Sequence, residues 1–296
     1  MLQGVYTALT TPFLSDGTID FSSLEKQIEI QISVGVQGLV LLGTTAETAT
    51  LTAQEKKELL DFCSKQINNR VKIVIGTGTN STASTLENTR VAIAYHPEAV
   101  LVVTPYYNKP NFSGLTEHYK QVAALGTPIV LYHIPGRTGL KLPTAFFEKL
   151  LAQVPQIKGI KESDYDMSHV TDMAVNYAEK RISYICGNDD LFPHYLALNA
   201  SGIISAAANV LAPAFVKIYK NFQEGKTREA FAVFSHIYPL IKGCYLETNP
   251  TCVKYISAKL GFGTDTVRLP LGAISAENAA KIDKLLEQTD KNLLIH

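Results

Sequence analysis

Short, continuously apolar runs alternate along this chain with stretches whose apolar residues recur every three to four positions. The runs are Val5–Thr10, Gly38–Leu42, Val71–Gly76, Ala99–Thr104, Pro128–His133, Ile157–Lys161, Ile182–Cys186 and Gly202–Ser205. Their unbroken apolar character fits strands buried on both faces, as in a parallel sheet. The segments between them read as helices. Leu24, Ile28 and Ile32 share one helical face, and Ser22 with Glu25 has capping-box spacing at its start. Thr52 and Glu55 repeat that spacing ahead of a helix ending near Asn68.

Eight β/α units in about 220 residues predict a (βα)8 TIM barrel rather than an open doubly wound sheet. Gly76-Thr77-Gly78 lacks the third glycine of a dinucleotide-binding turn, which further disfavours the open sheet. Past Glu224 the strand signal stops, and helical stretches follow near Thr227–Ile241, Pro250–Leu260 and Ala276–Leu294. The expected division is a catalytic α/β barrel over 1–224 and a C-terminal helical appendage over 225–296.

Composition narrows the function. Of 296 residues 46% are hydrophobic and 18% charged, enough to bury a large core. Lysine plus arginine equals aspartate plus glutamate at 27 each, so no long-range field draws the chain to nucleic acid or an anionic membrane. No apolar run reaches membrane-spanning length, and the N-terminus has no basic segment ahead of an apolar one. The four cysteines form no CxxC pair and are expected as small buried hydrophobes in a reduced, cytoplasmic protein. The seven histidines are scattered without HExxH spacing, so no metal site is expected.

In such barrels the chemistry sits at the C-terminal ends of the strands. Lys161 alone among the lysines closes a buried run at that end, whereas Lys72 and Lys158 lie at strand starts. Burial disfavours the ammonium form and favours the neutral amine that attacks a ketone. The competing reading pairs Lys161 with Glu162 or another carboxylate. Tyr132 ends the preceding run, where a phenol can shuttle protons or simply fill core. Thr44 and Thr45 follow Gly43 and suit a carboxylate-binding nest. Arg137 offers a planar fork for a second carboxylate.

Gly43-Thr44-Thr45, Thr104-Pro105-Tyr106-Tyr107-Asn108, Tyr132 with Pro135, Arg137-Thr138-Gly139 and Lys161-Glu162 occur in the order found in one family. Over essentially its whole length the chain resembles the pyruvate-dependent class I aldolases, the family of dihydrodipicolinate synthase and N-acetylneuraminate lyase. The Tyr-Tyr-Asn and Arg-Thr-Gly elements are similar to the synthase branch. The resemblance implies a lyase of lysine and diaminopimelate biosynthesis that condenses pyruvate with aspartate semialdehyde through a Schiff base on Lys161. It implies a proton relay of Thr44, Tyr132 and Tyr107, the last supplied by a neighbouring subunit. Thr45 would bind the pyruvate carboxylate with Thr44, Arg137 the second carboxylate, and the backbone near Gly187 and Ile204 would line the pocket. No cofactor is required, and the assembly would be at least a dimer, commonly a homotetramer.

Three residues depart from the family pattern. Ala46 stands for a glycine, putting a positive-φ turn there in doubt; His133 stands for an asparagine; Ser163 stands for an alanine. In lysine-inhibited members the effector lies near positions matching Asn80 and Tyr106, both kept here. The positions that carry histidine and glutamate there are Lys56 and Ser84, so lysine is expected to inhibit weakly or not at all. Alternatives are a pyruvate-releasing aldolase for 2-keto-3-deoxy sugar acids, a metal-dependent barrel hydrolase, and a non-catalytic keto-acid-binding paralogue.

Overall fold

The computed structural model describes residues 2–177 and 182–296. Its eight strands run in sequence order around a closed barrel: β1 Gly4–Ala8, β2 Gly38–Leu41, β3 Lys72–Gly76, β4 Ala99–Val103, β5 Ile129–His133, β6 Ile157–Glu162, β7 Ser183–Cys186 and β8 Gly202–Ser205. Every apolar run became a strand, with ends shifted by a residue or two, so that β1 starts at Gly4 and β6 runs on to Glu162. The helices are α1 Phe21–Val34, α2 Ala53–Ile67, α3 Thr82–Ile93, α4 Phe112–Ala123, α5 Pro135–Thr138, α6 Thr144–Gln153, α7 Met167–Tyr177, α8 Phe192–Ala197, α9 Ala208–Gln223, α10 Thr227–Gly243, α11 Thr251–Lys259 and α12 Ala276–Gln288. Chain contacts group these elements into two compact units, residues 1–3 with 73–203, and residues 4–72 with 204–296.

In the first unit β3 to β7 pair in parallel, and β7 pairs with the start of β8. The register that matters most sets Tyr132 opposite Lys161 and His133 opposite Glu162. β4 and β5 bury nearly every residue, as strands covered on both faces must. Gly159 lets the neighbours close in, since a β-carbon there would lie 3.2 Å from the Ser183 carbonyl oxygen.

In the second unit β1 pairs with β2, and polar side chains tie the ends of β1 to α1 and α9. Thr7 Oγ1 donates to Gln31 Oε1 at 2.6 Å, and Asn209 Nδ2 donates to the Ala8 carbonyl at 2.7 Å. Helix α9 is kinked at Leu211, two residues before Pro213. Helices α10, α11 and α12 occupy the predicted C-terminal stretches, and α10 and α11 pack on α9.

Capping followed the sequence in one helix and not in another. Thr52 and Glu55 form the full capping box of α2. Ser22 and Glu25 do not cap α1: Asp20 does, accepting from Ser23 N–H at 3.0 Å. Phe21, the first helical residue, packs against Phe62 at 4.9 Å, and the helix begins two residues earlier than the Ser–Glu spacing suggested. Ile32 is only half-buried, and Leu24, Gln27, Ile28 and Gln31 make the inner face. All four cysteines are buried free thiols.

Candidate active site

β6 carries Lys161 as its second-last residue, with 7% of its surface exposed. Its Nζ lies 4.0 Å from the centroid of the Tyr132 ring, which the β5–β6 register places directly opposite. Tyr132 is itself 6% exposed. No carboxylate pairs with Lys161 among the described residues, so the competing ion-pair reading fails. The reason lies in strand alternation. Glu162 points to the other side of the strand from Lys161. There it accepts from His133 Nδ1 at 2.9 and 3.0 Å and from the Asp164 N–H at 2.7 Å.

His133 therefore turns away from Tyr132, as its parity implied, but it is not a lone histidine. Its Nε2 accepts the Leu142 N–H at 3.1 Å, which assigns the ring proton to Nδ1, where it is donated to Glu162. His169 Nε2 stands 3.4 Å from Glu162 Oε2, an ionic contact rather than an aligned hydrogen bond. The scattered histidines of the sequence thus include one buried His–Glu–His cluster, which sequence spacing missed because register and helix placement create it. With His133 committed at both ring nitrogens, the arrangement suits a hydrogen-bonded brace behind β5 and β6 better than a metal centre. Burial would raise the Glu162 carboxyl, yet the hydrogen bond from His133 and the close approach of His169 overcome it and hold it below the usual carboxylate value. Glu162 in turn raises His169 above its usual value against the effect of burial.

Tyr107 follows β4 and is 90% exposed, with φ +74°. An aromatic residue in the left-handed region costs roughly 1–3 kcal/mol, which the surrounding loop must offset. Asn108 Nδ2 helps to hold it through the Asn80 carbonyl at 2.7 Å. Arg137 sits exposed on the short α5, and the glycine cap Gly139, at φ +65°, packs against the Lys109 side chain. Gly187, just past β7, is half-buried.

In the second unit Thr44, Thr45 and Ala46 form a 3-10 turn directly after β2 and Gly43. The N–H groups of Thr44 and Thr45, first in that turn, have no acceptor within it. Thr45 is buried and its Oγ1 accepts from Asn249 Nδ2 at 3.0 Å; Thr44 is half-buried. Ala46 is compatible with this geometry, because the left-handed residue is Glu47 at φ +54°. Glu47 was missed in the sequence. Its carboxylate binds Lys254 Nζ at 2.6 Å and the Arg268 N–H at 2.8 Å, which fixes the end of the Thr44–Thr45 loop. The partners lie more than 200 positions away, so no local pattern could reveal them. Ile204, on β8, is buried.

Lys56 on α2 and Asn80 after β3 are half-buried, while Tyr106 and Ser84 are exposed. No helix among the described residues is long and apolar enough to cross a membrane.

A closed parallel barrel whose one strand end carries a buried lysine, with no acidic partner among the described residues, places the chain in the class of barrel enzymes. The model of the dihydrodipicolinate synthetase family matches residues 1–289. A 4-hydroxy-tetrahydrodipicolinate synthase of Brachyspira hyodysenteriae is 36% identical over 289 residues, 97% of this chain and 98% of that protein. The solved 4-hydroxy-tetrahydrodipicolinate synthase of Methylacidiphilum fumariolicum SolV has a TM-score of 0.94 at 35% identity, covering 99% of this chain and 97% of that one. A dihydrodipicolinate synthase from Cyanidioschyzon merolae with lysine bound has a TM-score of 0.92 at 28% identity, covering 97% of each. The chain belongs to the dihydrodipicolinate synthetase family.

Proposed function

We infer that the chain is a lyase that condenses pyruvate with aspartate semialdehyde, and that Lys161 is its Schiff-base residue. The observation that carries this is the buried Lys161 amine, seated on the Tyr132 ring with no carboxylate paired to it among the described residues. The neutral amine is the nucleophile, and an amine not bound to a carboxylate is free to approach a carbonyl carbon. Addition to the keto carbon of pyruvate and loss of water give an imine. Its positive nitrogen draws electrons from the methyl carbon, which loses a proton and attacks the aldehyde. The aromatic face stabilises that positive nitrogen.

Tyr132, Thr44 and a Tyr107 from a neighbouring subunit relay the protons. Thr44 and Thr45 hold the pyruvate carboxylate, and Arg137 holds that of the second substrate, with the backbone at Gly187 and Ile204 lining the pocket. The exposure and strained backbone of Tyr107 support a role across a subunit boundary, hence a cytoplasmic homo-oligomer, a dimer at least and a tetramer by family habit. Segment 1–224 carries the chemistry and 225–296 supports it, without metal or organic cofactor. Lysine acts as a weak effector or none. The ammonium of Lys56 opposes the ligand's own, and Ser84 supplies no anion. Half-inhibition below about 1 mM lysine, roughly 4 kcal/mol of binding, would contradict this.

The test is pyruvate consumption with aspartate semialdehyde and, separately, with sugar aldehydes. Turnover with the semialdehyde should vanish in Lys161→Ala. In Arg137→Ala the KM for the semialdehyde should rise about tenfold or more while that for pyruvate holds. Activity with sugar aldehydes alone would assign the chain to the sugar-acid aldolases.

A further inference from the structure

We propose that Ser163 contacts the substrate at Lys161, its hydroxyl donating a hydrogen bond to the oxygen that begins as the keto oxygen of the bound acid. This rests on the Schiff-base reading above and adds a residue to it. Ser163 lies one position past β6 and is 6% exposed. Its backbone is fixed, the N–H donating to the His133 carbonyl at 2.9 Å. Its Oγ is buried and has no hydrogen-bond partner among the described residues. Buried hydroxyls almost always find one, since a rotor with one donor and two lone pairs is easily satisfied. The Thr104 and Ser183 hydroxyls are buried and unpaired as well, and what singles out Ser163 is its place two residues past Lys161, on the same side of Gly187 as the lysine stem.

The direction of the hydroxyl identifies the missing partner. A β-carbon built on Gly187 would lie 2.0 Å from Ser163 Oγ and 3.1 Å from Lys161 Cε. The hydroxyl and the lysine stem therefore crowd the same side of Gly187, and only glycine leaves room for both. Strand alternation agrees, for it sends residues 161 and 163 to one side and Glu162, with its histidines, to the other. When Nζ adds to the keto carbon the carbon–nitrogen bond forms, and the carbonyl electron pair moves onto oxygen. Charge grows on that atom before the oxygen is protonated and leaves as water. A donor already in place, paired to nothing in the resting enzyme, stabilises that charge without first breaking another bond. Ser163 neither gains nor loses a proton overall.

The experiment is single-turnover trapping of the pyruvate adduct with borohydride, read by mass, on the full-length protein and on Ser163→Ala. The trapping rate should fall about ten- to hundredfold in the variant. The thermal midpoint of the ligand-free variant should stay level or rise, because a desolvated hydroxyl has been removed. An unchanged trapping rate in Ser163→Ala overturns the proposal and leaves Lys161 in its role. A rate loss matched by a fall in the midpoint also overturns it, as that is the mark of a structural serine. Absence of any adduct in the unaltered protein overturns the Schiff-base reading and this proposal with it.

Discussion

Among the described residues two lysines are buried, each with its Nζ 4.0 Å from an aromatic centroid, yet their surroundings differ. Lys254 lies over Phe13 and is bound to Glu47 at 2.6 Å, while Lys161 lies over Tyr132 with no acid beside it. A buried charge that is paired and hydrogen-bonded is a structural element, and removing one partner strands the other. A buried amine with no acid beside it among the described residues has no ion-pair partner to hold or to strand. The comparison teaches that burial and an aromatic neighbour do not distinguish a reactive lysine from a structural one. The absence of a carboxylate does.

Breaking the comparison at Lys161 should have the largest effect, and on activity alone. Lys161→Met should lose about 10⁴-fold or more in turnover. Its stability in urea unfolding should match or exceed that of the parent, since an apolar chain replaces an amine with no partner to strand. A large loss of stability would place Lys161 with Lys254 as a structural residue.

How much of this was legible beforehand follows from the range of the forces involved. Strand positions are local, because an apolar run such as Ala99–Val103 carries its own burial requirement, and all eight were readable. Lys161 and Tyr132 were readable as strand-end residues for the same reason. Caps were half readable: Thr52-x-x-Glu55 has one outcome, whereas around Ser22 the Asp20 side chain competes for the same N–H groups and wins. The braces behind the site were not readable at all. His133–Glu162 depends on the register between two strands, and Glu47–Lys254 joins positions 207 residues apart, which no periodicity encodes.

Lys254→Met gives the mirror result, a loss of about 3–5 kcal/mol in stability from the uncompensated Glu47. Glu47→Gln added to it should recover much of that loss. The pH dependence has a definite sign. Burial lowers Lys254 from 10.5 to about 8 despite Glu47, so between those values the unfolded chain binds more protons than the folded one. Stability should rise with pH across that window, and Lys254→Met should remove that rise. A parent protein whose stability is flat from pH 8 to 10 would mean that Glu47 fully offsets the burial.

The Glu162 brace tests whether the reactive side depends on a paired side of its own. Glu162→Gln should cost about 1–3 kcal/mol near pH 6. In the parent, the carboxyl's contribution is lost as pH falls through its depressed folded value, below 4.5. That of His169 is lost as pH rises through its elevated folded value, above 6.5. The variant should flatten both arms in urea titrations. If it flattens neither, the cluster is packing only, and the register of Tyr132 against Lys161 stands without it.

The smallest expected effect probes how far the paired side extends. Thr52 caps α2 and shares Glu55 with Arg268, whose guanidinium lies 4.3 Å over the same Phe13 ring that Lys254 covers. Thr52→Ala should cost about 1 kcal/mol as a lost cap. If cap and ion pair are independent, combining it with Lys254→Met should be additive to within about 0.5 kcal/mol. A larger departure would show that Glu55, Arg268 and Phe13 transmit the cap to the Lys254–Glu47 pair. The paired lysine would then belong to a network reaching from the α2 surface to the Thr44–Thr45 loop, and its contrast with the solitary Lys161 would be wider still.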